Sequence, residues 1–277
     1  MGLAMANNLI KAGYDLTVWN RSSDKCQPLV EAGAQAAASP KEVAEQCDIV
    51  LAMLADPAAA LEVATGEAGI AAGMAQGKGY VDVSTVDAAT AQEISRAIKS
   101  AGGEYLEAPV SGSKGPAEQG TLIFLTGGDR SLFDRAAPLL DVMGKRSFFL
   151  REVGNGAKMK LVVNMVMGNM MAAFAEGLTL AEKAGLSKQD VIDVVGLGAI
   201  AAPMFALKGP AMAQRKYATA FPLKHQQKDL RLALELGQEV QQPLPVAAAA
   251  NELYLQAQSA GHGDADFSAV LEAVLQQ

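Results

Sequence analysis

Short apolar runs alternate with helical patterns through the first half of the chain. This alternation is typical of an α/β fold, in which helices pack on a parallel sheet. Continuous apolar runs such as residues 48–54 indicate strands that are buried on both faces. The predicted strands are residues 14–19, 48–54, 80–85, 104–107 and 122–125. The predicted helices are one that starts within residues 1–9 and has Gly13 as its C-cap, residues 40–46, residues 87–101 and a segment that begins at Ala58.

The second half shows only helical patterns. No proline falls between Pro138 and Pro203, so residues 154–185 can form one helix, roughly 45 Å long. Its sides are apolar nearly all round, which is typical of a helix buried on most faces. Further helices are predicted at residues 188–195, 223–237, 245–260 and 267–276. We therefore expect a Rossmann-type doubly wound domain over residues 1–152 and an all-α domain over residues 153–277, with a long interdomain helix.

The start of the sequence departs from this fold class. A doubly wound dinucleotide fold opens with a strand and a G-x-G-x-x-G turn. Here the first pattern is already a helix, and only Gly2 suits the third glycine of such a turn. We expect the first strand, roughly five or six residues, and two glycines to be missing from this sequence. Gly2 is accordingly a candidate cofactor-binding residue.

Composition narrows the classes of partner. Thirty acidic and 23 basic residues give a formal net charge of −7, which argues against nucleic acid or an anionic membrane. No apolar run is expected to span a bilayer. Two cysteines and two histidines are too few for a disulfide scaffold or a zinc site, so no metal is predicted. The expected location is cytoplasmic, although an incomplete start leaves organellar targeting open.

Polar residues follow several predicted strands, at the edge of a parallel sheet where ligands bind. After the strand at residues 14–19, Arg21 suits the 2′-phosphate of NADP, with Asn20 and Ser22 as further hydrogen-bonding groups. A solvated turn is the alternative. The other candidates at strand ends are Met53, Leu54, Ser84 and Thr85. Core positions for Met53 and Leu54, and a helix-capping role for Ser84, are the alternatives.

The loop at residues 109–116 is too rich in Gly, Ser and Pro to be regular. Successive backbone N–H groups beside hydroxyl groups can bind a carboxylate, and Gly112 permits close approach of the backbone. Ser111, Gly112 and Ser113 are therefore candidate substrate-binding residues. A plain turn is the alternative.

Lys160 and Asn164 interrupt the apolar start of the long helix and, being four apart, share one face. A lysine there is either a surface lysine or a general acid whose pKa burial brings towards the working pH. Asn164 can bind substrate or orient the lysine. A second polar group lies in residues 221–230, where Lys228 can contact cofactor or substrate, Asp229 can pair with a lysine, and Phe221 can form an apolar wall. A solvated helix face is the alternative there.

The chain resembles the β-hydroxyacid dehydrogenase family over essentially its whole length. The resemblance is carried by Gly154-x-Gly156-x-x-x-Lys160-x-x-x-Asn164, Asp82-Val83-Ser84-Thr85, Pro109-Val110-Ser111-Gly112 and Lys228-Asp229-Leu230. Within the family the chain is most similar to the glyoxylate/succinic semialdehyde reductases. Ser113, where many 3-hydroxyisobutyrate dehydrogenases have glycine, favours the aldehyde reductases.

The resemblance implies NADPH-dependent reduction of a small carboxylated aldehyde, with NADP(H) as the cofactor. It implies Lys160 as the general acid, supported by Ser111, Phe221 and Asp229, and it places Thr85 and Lys228 at the cofactor and substrate. It also implies a homodimer or homotetramer built on the helical domain. The alternatives are a 3-hydroxyisobutyrate or tartronate semialdehyde enzyme and, in a different class, an N-terminally truncated, non-catalytic binding subunit.

Overall fold

A computed structural model describes residues 1–276 of the chain. The chain divides into two compact units, Met1–Lys160 and Leu161–Gln277. The division falls inside one long helix, Asn155–Lys183, so both units contain residues of this helix. The predicted domain limits of 1–152 and 153–277 remain a prediction.

Unit 1 alternates strands and helices. Its strands are β1 (Thr17–Val18), β2 (Gln35–Ala36), β3 (Ile49–Ala52), β4 (Gly79–Asp82), β5 (Glu104–Glu107), β6 (Val110–Ser111), β7 (Leu122–Gly128) and β8 (Gly144–Phe149). Its helices are α1 (Gly2–Lys11), α2 (Gln27–Glu31), α3 (Pro40–Gln46), α4 (Pro57–Thr65), α5 (Ala88–Ser100), α6 (Lys114–Glu118) and α7 (Arg130–Met143).

The sheet of unit 1 is in two pieces. Strands β1 and β2 form a parallel pair, and the other six strands form a second sheet in which β3, β4 and β5 are parallel neighbours. Strand β7 is antiparallel to β5 and β6 and parallel to β8. The Rossmann-type fold class is confirmed, because a parallel core sheet is followed by a helical unit.

Both faces of the central strands are covered by helices. Val81 and Leu106 pack with apolar residues of α1 and α7, whereas Tyr80 and Tyr105 pack with residues of α3, α4 and α5. Alternate residues of a strand point to opposite faces, so β4 and β5 supply core to both sides. Their last residues, Asp82 and Glu107, are acidic and buried.

Unit 2 is all-helical. It continues the long helix α8 (Asn155–Lys183) with α9 (Lys188–Leu197), α10 (Pro203–Ala213), α11 (Leu223–Glu239), α12 (Pro245–Ala257) and α13 (Leu271–Leu275). The core is formed by large side chains of several of these helices, including Met171, Phe174, Met212, Leu230 and Tyr254. The uninterrupted helix predicted from the absence of proline is present.

Several short elements differ from the sequence-based expectations. Residues 109–116 were expected to be irregular, but Val110–Ser111 pairs with β7 and Lys114–Glu118 forms one helical turn. Pairing with a neighbouring strand supplies the regular structure that local composition does not indicate. The predicted helix at 245–260 ends at Ala257, and the chain continues as a π-helical turn that contains Gly261 at φ +92°. The predicted helix at 267–276 opens with a 3₁₀ turn.

Helix α8 corrects one expectation from the sequence. By length and composition it could cross a membrane, with a hydropathy of 1.4 over its best window, although no run was expected to do so. A core helix can have the same length and composition, and 44% of this apolar stretch of α8 is buried inside the protein. The helix is apolar on most faces, but the expected burial on most faces is not found in the single chain, since Val162, Val163 and Val166 are exposed.

Candidate active site

The loop after β1 carries the residues predicted to bind the adenosine end of the cofactor. Asn20, Arg21 and Ser22 are all exposed, and the Asn20 amide donates a hydrogen bond to the Ser22 carbonyl oxygen at 3.0 Å. The Arg21 guanidinium has no hydrogen-bond or ion-pair partner within residues 1–276. An exposed fork of unpaired N–H donors fits a phosphate group. The residues present therefore fit a cofactor that carries a 2′-phosphate.

The ends of β3 and β4 are joined by a hydrogen bond. The Leu54 N–H donates to Ser84 Oγ at 3.0 Å, and the Ser84 N–H donates to Asp82 Oδ1 at 2.9 Å. Met53 and Thr85 are half-buried beside them, and Thr85 is engaged with a partner. Ser84 does not cap the next helix, since Asp87 caps α5 by accepting from the Thr90 N–H. A role in fixing the carboxyl edge of the sheet fits Ser84 better than capping.

Gly2 lies at the first residue of α1, near β3. A Cβ atom at this position would lie 3.7 Å from Met53 Cβ, an ordinary contact distance. Close packing therefore does not require glycine here, and the predicted role of Gly2 in cofactor binding stays a prediction.

The predicted carboxylate cradle lies on the antiparallel part of the sheet. Ser111 ends β6, Gly112 follows with φ +130°, and Ser113 precedes α6 without a side-chain capping bond. A Cβ at residue 112 would lie 2.8 Å from Leu122 Cδ2 and 3.0 Å from Pro116 Cβ. Both backbone conformation and space therefore require glycine, which gives the turn a fixed shape.

Lys160 is the last residue of unit 1 and lies near the start of α8. Its side chain is buried, with an exposed fraction of 6%, whereas Lys158 two residues earlier is exposed. Lys160 is engaged with a partner. The surface-lysine alternative is therefore wrong, because an ammonium group buried to this extent is held in place rather than solvated.

The polar residues that the sequence suggested on α8 and α11 of unit 2 belong to one buried network. The Asn164 side-chain amide donates to Asp229 Oδ2 at 2.5 Å, and the Gln226 side-chain amide donates to the backbone carbonyl oxygen of Asn164 at 2.9 Å. Lys228 Nζ lies 3.1 Å from Asp229 Oδ1 and its side chain is 13% exposed. Asn164 therefore holds Asp229 in place, and a solvated helix face does not describe these residues.

Phe221, predicted as an apolar wall, is fixed by Asp266. The Phe221 N–H donates to Asp266 Oδ2 at 3.2 Å, and Lys208 Nζ donates to the same oxygen at 2.8 Å. Burial alone would raise the pKa of Asp266, but hydrogen bonds from Lys208 and Ser268 outweigh it and leave the pKa below its usual range. The Phe221 ring packs edge-on against Phe267 at a centroid distance of 5.9 Å.

Three buried polar residues were not predicted as site residues. Asp82 and Glu107 end two neighbouring strands, and Gln226 lies on α11. The only sequence signal for the two acids is a carboxylate at the end of a predicted strand. Gln226 carries no signal beyond its spacing of three residues from Asp229, on the same helix face.

Known families and proteins match nearly the whole chain. Residues 1–154 match the NAD binding domain of 6-phosphogluconate dehydrogenase, and residues 154–274 match the NAD-binding domain of NADP-dependent 3-hydroxyisobutyrate dehydrogenase. The chain is 61% identical over 274 residues to glyoxylate/succinic semialdehyde reductase 2, chloroplastic, of Arabidopsis thaliana, covering 99% of this chain and 76% of that protein.

Two further relatives agree. Glyoxylate/succinic semialdehyde reductase 1 of Arabidopsis thaliana is 57% identical, covering 99% of this chain and 95% of that protein. The crystal structure of 3-hydroxyisobutyrate dehydrogenase from Salmonella typhimurium superposes with a TM-score of 0.89 at 29% identity, covering 98% of this chain and 95% of that one. This chain is therefore an NAD(P)-dependent oxidoreductase that belongs to the β-hydroxyacid dehydrogenase family.

Proposed function

We propose that this chain reduces small carboxylated aldehydes with NADPH, converting glyoxylate to glycolate and succinic semialdehyde to 4-hydroxybutyrate. The observation that carries the proposal is the buried ammonium of Lys160, in a chain 61% identical to a reductase named for these substrates. A nicotinamide cofactor supplies the hydride when bound. The protein must hold the aldehyde and provide a proton to the developing alkoxide.

The proposed roles follow from the chemistry of each group. Lys160 donates its Nζ proton to the substrate oxygen. Hydroxyl and backbone N–H groups of Ser111, Gly112 and Ser113 hold the substrate carboxylate, together with Thr85 and Ser84. In unit 2, Asn164 orients Asp229, and Asp229 and Lys228 supply charge while Phe221 supplies an apolar surface.

Replacing Lys160 with alanine tests the proton donor. We expect Lys160→Ala to lower kcat for glyoxylate reduction by roughly 10²–10⁴-fold, because that range is typical of a positioned general acid. NADPH binding, measured by fluorescence titration, should persist. Lys158→Ala is the matched control, since Lys158 is exposed on the same helix, and it should keep full turnover. Full turnover in Lys160→Ala would remove this lysine from the mechanism.

Arg21 supports the choice of NADPH over NADH. We expect Arg21→Ala to raise KM for NADPH by about 10–100-fold, because a charge-assisted hydrogen bond is worth about 1.5–3 kcal/mol. KM for NADH should hardly change, since NADH has no 2′-phosphate. Lys25→Ala, at another exposed cation of the same loop, serves as the control. An equal effect on both cofactors would contradict the assignment.

A panel of aldehydes distinguishes the proposed reductase from a 3-hydroxyisobutyrate or tartronate semialdehyde enzyme. Glyoxylate, succinic semialdehyde, methylmalonate semialdehyde and tartronate semialdehyde should be compared by kcat/KM with each cofactor. The proposal expects the first two to be the best substrates. A preference for either of the last two would favour the 3-hydroxyisobutyrate or tartronate semialdehyde reading.

We also propose that the protein acts as a homodimer or homotetramer. Unit 2 exposes several large apolar side chains, which monomeric proteins usually cover. They are Leu180, Leu186, Val194, Leu197, Ile200 and Leu207. Light scattering coupled to size exclusion should give two or four times the mass of 28.7 kDa.

A further inference from the structure

Two buried carboxyl groups that have no part in the proposed mechanism lie side by side in unit 1. Asp82 and Glu107 are paired in the register of the parallel strands β4 and β5, and each has an exposed fraction of 1%. Paired residues of neighbouring strands point to the same face of a sheet. Carboxylates buried to this extent need strong hydrogen-bond donors, and the donors of Glu107 are unusual.

The carboxylate of Glu107 binds the first turn of α8. Its Oε1 accepts hydrogen bonds from the N–H groups of Gly154 at 2.6 Å and Gly156 at 2.7 Å, and its Oε2 accepts from Ala157 at 3.3 Å. The first N–H groups of a helix have no partner within the helix and carry its positive partial charge. Glu107 therefore supplies both the acceptors and the negative charge that this helix start requires.

Glycines make room for the carboxylate on several sides. A Cβ at residue 127 would lie 2.6 Å from Glu107 Oε1, and a Cβ at residue 156 would lie 2.3 Å from the Leu125 carbonyl oxygen. Gly154 has φ +101°, a conformation that other residues rarely adopt. The seat of Glu107 is therefore formed by Gly127 and Gly156, which leave room for it, and by Gly154, which donates an N–H; the last two belong to the motif that leads to Lys160.

Lys160 follows Gly156 by four residues, about one turn and 6 Å further along the axis of α8. The positive end of a helix disfavours an ammonium group, whereas a carboxylate at that end offsets the effect. We propose that Glu107 is a positioning residue for Lys160: its carboxylate fixes the first turn of α8 and supplies the charge that keeps the ammonium protonated. The inference rests on the proposed role of Lys160 as proton donor.

The titratable groups that face Glu107 influence the pH at which its carboxyl group ionises. Asp82 faces it from β4, and the tyrosines 80 and 105 lie behind the two acids on the same face, with hydroxyls that have no partner within residues 1–276. The start of α8 presents the N–H groups of Gly154, Gly156 and Ala157, and β7 presents its backbone at Gly127. The side chains of Arg151 and Glu152, just before α8, are exposed.

Burial, only partly offset by the three N–H groups, raises the pKa of Glu107 to about 7. Burial likewise raises the pKa of Asp82 to about 6. Both groups are therefore largely ionised above pH 8, the range in which a lysine general acid begins to lose its proton. The negative charge of Glu107 should therefore be present, and act on Lys160, in the alkaline pH range in which the rate of reduction falls.

Glu107→Gln tests this inference. The glutamine keeps the shape of the side chain but removes the charge and one of the two acceptor oxygens. We expect kcat for aldehyde reduction to fall about 10-fold while KM for the aldehyde and Kd for NADPH change less than about twofold. The alkaline limb of the pH–kcat profile should move to lower pH by about one unit. A limb that stays in place, even at reduced kcat, overturns the inference.

Two further variants guard against a trivial loss of structure. Glu104→Gln changes the other glutamate of β5, which is bound to Ser131 and Arg135, and it should leave the pH profile unchanged. Glu107→Asp keeps the charge at a shorter reach, so kcat should fall while the alkaline limb stays near its original position. A limb that shifts in Glu107→Asp as far as in Glu107→Gln would also overturn the inference.

A measurement without turnover separates this inference from the proposed function. The pH dependence of acetylation of Lys160 can be followed by peptide mass spectrometry in the substrate-free protein, with exposed Lys158 as the internal reference. In Glu107→Gln, half-maximal labelling of Lys160 should occur about one pH unit lower, and that of Lys158 should not move. Retained turnover in Lys160→Ala would refute the proposed mechanism whatever the labelling shows. Loss of turnover in Lys160→Ala together with unmoved labelling in Glu107→Gln would refute this inference alone.

Discussion

Asn164 and Asp229 bind each other where neither has access to water. The exposed fractions are 2% and 1%, and the amide-to-carboxylate distance is 2.5 Å. A buried carboxylate that loses such a donor keeps its desolvation cost without compensation. Lys228, 3.1 Å from the other oxygen, supplies the opposing charge. The pair is therefore a stability element of unit 2 as well as a candidate part of the site.

The costs of removing the two members should not add. We expect Asn164→Ala to lower the free energy of unfolding by about 1–3 kcal/mol, because Asp229 keeps its burial but loses a donor. Adding Asp229→Ala to that variant should cost less than Asp229→Ala costs alone. Urea unfolding of the four proteins gives the coupling energy, and additive effects would show that the contact contributes nothing.

At this scale the sequence indicated the residues with distinctive chemistry and missed those whose role depends on their neighbours. Lys160 and Asn164 stand out because they are polar in an apolar helix. Glu107 does not, because only the pairing of β5 with β4 and the approach of α8 give its carboxylate partners. Tertiary contacts of this kind cannot be read from local spacing.

Helix α8 shows how one element meets different surroundings along its length. Gly168 and Gly177 belong to the same helix and, within unit 2, have opposite environments. A Cβ at residue 168 would lie 2.5 Å from the Gln226 amide nitrogen, whereas a Cβ at residue 177 would meet nothing within 4 Å. The same residue type is required at one place and only tolerated at the other.

The two glycines should respond in opposite directions to alanine. Gly177→Ala should raise the free energy of unfolding by about 0.5–1 kcal/mol, because alanine favours the helix and no neighbour is displaced. Gly168→Ala should lower it by about 1–3 kcal/mol, since Gln226 must move away from Asn164. Thermal melts of both variants would check this, and equal shifts of one sign would contradict the environments described.

Long elements were predicted better than short ones. The absence of proline and the apolar pattern were enough for α8, and a Ser39–Pro40 start was enough for α3, which Ser39 caps. Helix α10 was missed, because Gly209 and Pro210 lie inside it and such residues usually end a helix. The two-residue strands β2 and β6 have too few positions to show a period.

Across the whole molecule, the buried acids tie stability to pH. The pKa of Glu107 rises from 4.5 to about 7 and that of Asp82 from 3.8 to about 6 on folding, chiefly through burial. Between these limits the folded protein binds protons that the unfolded chain does not. Stability therefore falls as pH rises through this window and levels off above about pH 8.

The pH dependence should be visible in unfolding experiments. The free energy of unfolding of the unmodified protein should decrease on the order of a few kcal/mol between pH 5 and pH 7. The decrease should appear as a lower urea midpoint. Glu107→Gln should flatten much of this slope, because glutamine does not titrate. The Glu104→Gln change, at a half-buried glutamate of the same strand, should leave the slope as it was. A midpoint that increases over this range would show that other groups dominate.

The class of fold was the most predictable property, since an alternating half followed by a helical half admits few architectures. The division of the sheet into two pieces was not predictable, because β1 and β2 are defined by pairing with each other. The antiparallel placement of β7 was equally hidden, since a strand's direction depends on its partners rather than on its own residues.

The seat of Glu107 has a consequence for how sequences of this kind can diverge. Gly127 and Gly156 leave space beside the Glu107 carboxylate, and Gly154 donates its N–H to that carboxylate from a backbone conformation with φ +101°. Substitution at one of the four positions removes the constraint on the others. Relatives should therefore keep all four or exchange them together, as a covarying set that alignments of distant members would reveal.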